Sequence, residues 1–285
     1  MLFPTGLSAH SFTYNNWGTN PSSTPGTSVV PGTSNAEGSW TQIASSANIS
    51  QDIFGFLLSV HNGNSNATAK NHLLDVGVDP AGGTSYTAVI SNIVCGSTGN
   101  VVDQKFGAEF LFPLFIPSGS SVAVRVQGSH TVAGTVRVCA KFYGSLGRQE
   151  ETPLGQFSET IGTITNSNGV SFTPGNAADG TWVSLGTTAK AMWWWQLAYQ
   201  IDNGTVTAEQ TYIELAHGDA TNKHSIITLF HEGNSAETLG IVMGENLNHF
   251  AAYKPLPAGV ELWVRGRCNN APDSGYNAVA IGIGG

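Results

Sequence analysis

Charge is what this chain has least of. Asp, Glu, Lys and Arg make up 11% of its 285 residues, against roughly 25% in an average soluble domain. A surface that poor in charge is either wetted by neutral polar groups or hidden in an assembly. The net charge is −8, and Lys and Arg nowhere cluster into a stripe that could neutralise phosphates, so no nucleic acid partner is expected. Cysteine is also scarce. Cys95, Cys139 and Cys268 are too few for a disulfide framework, and no C-x-x-C pair marks zinc. Cys139 and Cys268 lie in apolar, strand-like runs and read as small buried hydrophobes. Long apolar runs are missing as well. The longest, Phe110 to Ile116, is broken by Pro113 and is too short to cross a bilayer, so no membrane partner is expected. The opening MLFPTGLSAH has neither a basic region nor an apolar core, and no signal peptide is expected.

The familiar catalytic signatures are missing too: G-x-S-x-G, H-E-x-x-H, the phosphate-binding G-x-x-x-x-G-K-[ST] and the EF-hand loop. The Gly-x-Gly at Gly282 leads into no helix. Metal-binding jelly rolls of the cupin kind resemble this chain in having a P-x-G turn, but they carry a histidine three residues after its glycine. Here Val122 and Leu262 stand there, and an apolar side chain cannot ligate a metal. His217 and Asp219, with His224 within reach across a loop, come nearest to a site, and they read more simply as turn residues. Asp75 and Asp79 share one strand parity and are expected to be solvated. The expectation is a non-enzyme without a cofactor or metal.

What the chain does have is a repeat. GTSVVPGTSNAEGSW, ending at Trp40, is echoed by GVSFTPGNAADGTW, ending at Trp182, an offset of 142. IPSGSSVAVR from Ile116 is echoed by LPAGVELWVR from Leu256, 140 residues on. The closing runs TVRVCAKFYG and YNAVAIGIGG end at Gly144 and Gly285. LSAHSFTYNN, near Leu7, aligns loosely with FSETIGTITN, near Phe157. Within each copy, apolar residues alternate as strands require: Phe54, Phe56, Leu58 and Val60 in the first, and Trp195, Leu197, Tyr199 and Ile201 in the second. Gly, Asn and Pro clusters separate the runs. In the P-x-G turns, Pro117 and Pro257 restrict φ, while Gly119 and Gly259 are free to take positive φ. The fold class expected is all-β: two tandem β-sandwich, jelly-roll-like domains related by internal duplication. Residues 1–28 form an extended N-terminal arm able to supply a first strand. Residues 29–147 form the first domain, 148–156 a linker and 157–285 the second domain.

Parity also puts aromatic residues on the wrong side. Trp194 and Trp263 point away from the core parity, with Arg265 beside the latter, and Ile53 and Ala123 are their counterparts in copy one. Trp17 lies in the Pro-, Ser- and Asn-rich arm. A tryptophan carries roughly 150–250 Å² of surface, so outward ones need a cover: the chain itself, another subunit or a sugar ring. Trp17, Trp194, Trp263 and Arg265 are therefore the interface candidates.

Each copy opens on Gly-x-Trp (Gly38 to Trp40, Gly180 to Trp182) and carries a P-x-G turn followed by a V-x-V-R-like strand. This pattern resembles the duplicated jelly-roll or β-sandwich virion proteins of tailed bacteriophages, which decorate the head or belong to the tail. The resemblance implies a head decoration (cement) protein located in the virion. Its partners would be the major capsid protein or other virion proteins and further copies of itself, for example in a trimer. The alternative is a tail component that binds host carbohydrate, with a glycan as partner.

Overall fold

The computed structural model describes residues 12–18, 26–33, 36–62, 70–97, 108–128, 135–144, 155–162, 169–201, 210–232, 251–269 and 276–285. Nineteen strands and no helix make up the described residues. Copy one contains β1 (Phe12–Asn16), β2 (Thr27–Val29), β3 (Thr41–Ala44), β4 (Ile53–Asn62), β5 (Lys70–Asp79), β6 (Thr87–Ser97), β7 (Ala108–Phe112), β8 (Ser121–Gly128) and β9 (Val136–Gly144). Copy two contains β10 (Phe157–Ile161), β11 (Val170–Phe172), β12 (Gly175–Asn176), β13 (Val183–Thr187), β14 (Met192–Ile201), β15 (Gln210–Gly218), β16 (Lys223–Glu232), β17 (Ala251–Leu256), β18 (Glu261–Cys268) and β19 (Tyr276–Gly284).

The duplication appears directly in the strand order. One sheet of copy one runs β1-β9-β4-β7 with β2 beside β9, and copy two repeats it as β10-β19-β14-β17 with β11 beside β19. The facing sheets run β3-β8-β5-β6 and β13-β18-β15-β16. β12 pairs with β18 in parallel; near its place copy one has the isolated antiparallel bridge Glu37↔Gln127. The chain is thus all-β, two β-sandwiches of the same topology in tandem. The expected linker lies mostly outside the described residues. The arm is not free along its length: β1 pairs with β9, Phe12 opposite Gly144. In copy two Phe157 lies opposite Gly284. Phe12, rather than Leu7, is therefore the structural counterpart of Phe157.

Period-two side chains from both sheets fill each core. In copy one, Phe56, Phe112 and Phe142 are fully buried, with Phe56 5.3 Å from Phe112 and 5.6 Å from Phe142 between ring centroids. Copy two fills the same volume differently. Trp195 stands opposite Gly282 where copy one sets Phe56 opposite Phe142. A Cβ at Gly282 would come within 2.8 Å of the indole, so the larger ring is possible because its neighbour lost a side chain.

The P-x-G turns form as the sequence suggests. Gly119 has φ +78° and Gly259 φ +83°, values that favour glycine. Their amides donate to Ile49 O and Thr188 O at 2.7 and 2.8 Å. Pro117 and Pro257 occupy the first turn position, and their carbonyls accept from the Ser120 and Thr188 hydroxyls.

The copies differ in their outer faces. On copy two, the outward residues Val279, Ile281 and Ile283 of β19, and Trp194, Gln196 and Ala198 of β14, are all buried. β6 of copy one packs across β10, β14 and β19. The hydroxyls of Ser158 and Thr160 donate to Val89 O and Ser91 O, and the Gln196 amide donates to Leu111 O. The Phe115 amide donates to Gly155 O at 2.8 Å. At the equivalent register, copy one presents Lys141, Tyr143, Leu57 and Ser59, all partly exposed. An apolar sheet face is thus buried in one copy, while its twin is more polar and partly exposed, apart from the buried Cys139.

Candidate functional site

The buried cover accounts for Trp194. It shares its face with Gln196 and is 6% exposed, so it is not a free aromatic surface. Register makes Gly55 its counterpart rather than Ile53, since Trp194 lies opposite Ile283 and Gly55 opposite Tyr143. Trp263 is half-buried on the outer face of β18, with its indole N–H on Gly218 O at 3.0 Å and the Lys223 ammonium 4.3 Å above its ring. Trp17 remains 54% exposed at the end of β1, where its carbonyl accepts from the Gly26 amide at 2.7 Å.

Arg265 is not an unsatisfied surface cation. Its Nη1 lies 2.8 Å from Asp179 and its Nη2 2.8 Å from Glu214, Nε also donates to Glu214 at 2.8 Å, and the guanidinium sits 4.3 Å from the Trp182 ring centroid. Copy one repeats the group. Arg125 bonds Glu37 at 2.5 Å and Asp75 at 2.9 Å and lies 4.5 Å from the Trp40 ring. The same Trp–Arg–acid–acid cluster thus occurs in both copies. The two clusters fasten the segment carrying Glu37 and Trp40, or Asp179 and Trp182, across the outer face of the sheet.

These clusters correct the expectation that Asp75 and Asp79 are solvated; both are buried. Asp75 Oδ1 accepts from the Asn92 amide at 2.7 Å, and Asn92 takes φ +57°. Asp79 accepts from the amides of Ala81 and Ser85 at 2.9 and 2.8 Å, closing the turn between β5 and β6. The acids are buried because their acceptor oxygens are used by backbone amides and an arginine.

His217 and His224 are brought together as cross-strand neighbours, ring centroids 5.3 Å apart. Burial, then Lys254, then His224 hold the His217 imidazole below the usual histidine range. Asp219 caps the intervening turn by accepting from the amides of Thr221 and Asn222, both at 2.7 Å, and these bonds pull its carboxyl below the ordinary range. Among the described residues, no group of three or more His, Cys, Asp or Glu is arranged to hold a metal. Cys139 and Cys268 are buried thiols, and burial pushes the Cys139 thiol up. The Cys95 side chain lies outside the described residues.

The feature that sequence reasoning missed is a cleft of about 610 Å³ on the outer face of copy two. Its floor is β15 and β18, where Tyr212 stands opposite Arg267 and Glu214 opposite Arg265. Asp179 and Ala177 form one wall, and Thr228 of β16 lies on the other side. Tyr212 is 51% exposed, and Arg267 donates to Ala177 O at 3.0 Å. The signal is in the sequence: Tyr212 and Glu214 take the outward parity of their strand, as Arg265, an interface candidate already, does of its own.

No family model matches the chain, and no curated protein is found to be related to it. Solved structures resemble it only distantly. The tandem CBM22-1–CBM22-2 domains of Xyn10C from Paenibacillus barcinonensis are 10% identical, with a TM-score of 0.26 over 85% of this chain and 82% of that one. PNGase F, a glycosylasparaginase from Flavobacterium meningosepticum, is 12% identical with a TM-score of 0.36, over 94% of this chain and 99% of that one. Naturally occurring empty particles of cowpea mosaic virus give 11% identity and a TM-score of 0.27, over 88% and 90%.

Proposed function

We propose that this chain is a non-enzymatic virion structural protein, a head decoration protein that binds the capsid shell and associates with further copies of itself. The observation that carries this reading is the set of aromatic side chains left in water by a chain with so little charge. Trp17 is 54% and Tyr253 61% exposed. Tyr253 lies on the edge strand β17, 6.0 Å from the Trp193 ring. Exposed aromatics of this size favour contact with another protein, where covering one is worth roughly 2–3 kcal/mol. Fusing two sandwiches into one chain supports the reading, since two sites on one tether gain from effective concentration.

The test is cosedimentation of the purified chain with tailed-phage heads stripped of decoration protein, comparing Trp17→Ala and Tyr253→Ala with the parent. Each variant should keep its β-type circular dichroism and bind the heads more weakly. Binding of both variants at the parent's level, or a parent that never sediments with heads, refutes the proposal.

A further inference from the structure

We infer that the cleft on the outer face of copy two is a binding site for a neutral oligosaccharide, a role independent of capsid binding. Its chemistry points to that class. Tyr212 offers a half-exposed ring on a rigid strand, paired on one side with β16 and on the other with β18. An aromatic face held that way can stack against the C–H face of a pyranose at little entropic cost. Around the ring stand planar polar groups whose orientation is already fixed. Arg265 clamps Glu214 and Asp179 through one oxygen of each carboxylate. Among the described residues, the bonds of Arg265 fall on Glu214 Oε2 and Asp179 Oδ2, which leaves the other carboxylate oxygens as acceptors for hydroxyl groups. Arg267 spends one nitrogen on Ala177 O and keeps further N–H donors for a hydroxyl or ring oxygen.

The charge balance selects against an ionic ligand. Two arginines, Arg265 and Arg267, and two carboxylates, Asp179 and Glu214, line the cleft, so its described charges cancel. An anion gains no net attraction there, whereas a sugar with alternating donors and acceptors finds both.

Copy one supplies the internal contrast. Register places Leu73 at the position of Tyr212 and Gln127 at that of Arg267, and Leu73 is buried. The clamp around Arg125 survives there, while the aromatic platform and the second arginine do not. The clamp is therefore the shared structural device, and the platform is particular to copy two. One site per chain follows.

The test is an array of immobilised neutral and acidic oligosaccharides probed with the full chain, followed by titration of the strongest binder in solution. Binding to neutral oligosaccharides is expected. Tyr212→Ala should weaken it at least tenfold, and Arg267→Gln severalfold. Tyr253→Ala, on an edge strand of the other sheet, should leave it unchanged. Because Tyr212 is half in water, its replacement does not threaten the core, and circular dichroism confirms the fold. An array without a hit, binding confined to acidic glycans, or binding indifferent to Tyr212→Ala overturns the inference. None of these outcomes bears on sedimentation with phage heads.

Discussion

Replacing Arg125 or Arg265 with methionine removes the same charge from the same motif, yet the two should differ in cost by about 2–4 kcal/mol. Methionine keeps an apolar stem against Trp40 or Trp182. The lost cation–π contact, about 0.5–2 kcal/mol, is common to both and cancels in the comparison. The difference lies in what is left behind. Without Arg125, the Asp75 side chain, 6% exposed, remains charged among packed atoms with the Asn92 amide as its remaining described partner. Orphaning a buried charge costs about 3–5 kcal/mol. Without Arg265, Glu214 and Asp179 are 22% and 51% exposed and water replaces the arginine, so about 1 kcal/mol is lost. For a urea slope of about 2 kcal/mol per molar, the midpoint of copy one should fall by roughly 2 M and that of copy two by roughly 0.5 M, each on top of the same shift from the lost cation–π contact. Circular dichroism follows both copies. Tryptophan fluorescence follows mainly the second, which holds Trp182, Trp193, Trp194, Trp195 and Trp263. Adding Asp75→Asn to Arg125→Met removes the stranded charge while keeping an acceptor for Asn92, and should restore most of the loss. Equal losses for the two arginines, or no recovery in the double variant, would refute the reasoning.

Gly119→Ala and Gly259→Ala test the turns. A Cβ at either position meets nothing within 4 Å, so the cost is purely conformational, about 1–2 kcal/mol each, read as a lower thermal midpoint. A clash of the added methyl with its neighbours is thereby excluded as the cause. For His217, the folded-state imidazole titrates below its ordinary value of 6.5, so the folded protein favours the neutral ring. That contribution is complete above the unfolded pKa and is lost as pH falls from there through the folded value. Urea midpoints measured between pH 7.5 and 5 should therefore fall more steeply for the parent than for His217→Gln; parallel profiles would dismiss the effect.

The fold was legible because duplication prints the same strands twice. Paired landmarks such as Trp40 with Trp182 and Gly119 with Gly259 fixed the copies, and period-two alternation marked Phe56, Leu58 and Val60 as inward. Parity says which face a side chain takes; it does not say what covers that face. Trp194 takes the outward parity of β14 yet is buried, because β6 of the other copy packs across that strand, a contact between distant segments that no local pattern encodes. Asp75 looked solvated because its partners, Arg125 and the Asn92 amide, arrive from elsewhere in the sheet. The cleft was missed for the same reason. Tyr212, Arg267 and Asp179 come from three separate stretches, gathered by the β15–β18 register and by the ion pair of Arg265 with Asp179.

The unequal outer faces have a consequence for how the chain is made. Synthesis delivers copy one first, and a surface bearing Lys141, Tyr143 and Ser59 can wait in water without harm. Copy two emerges later, with Val279, Ile281, Ile283 and Trp194 demanding shelter, and by then β6 is already folded to provide it. Made in the reverse order, the same two modules would leave a greasy sheet waiting for its lid; as arranged, the nascent chain carries its own chaperoning surface ahead of the part that needs it.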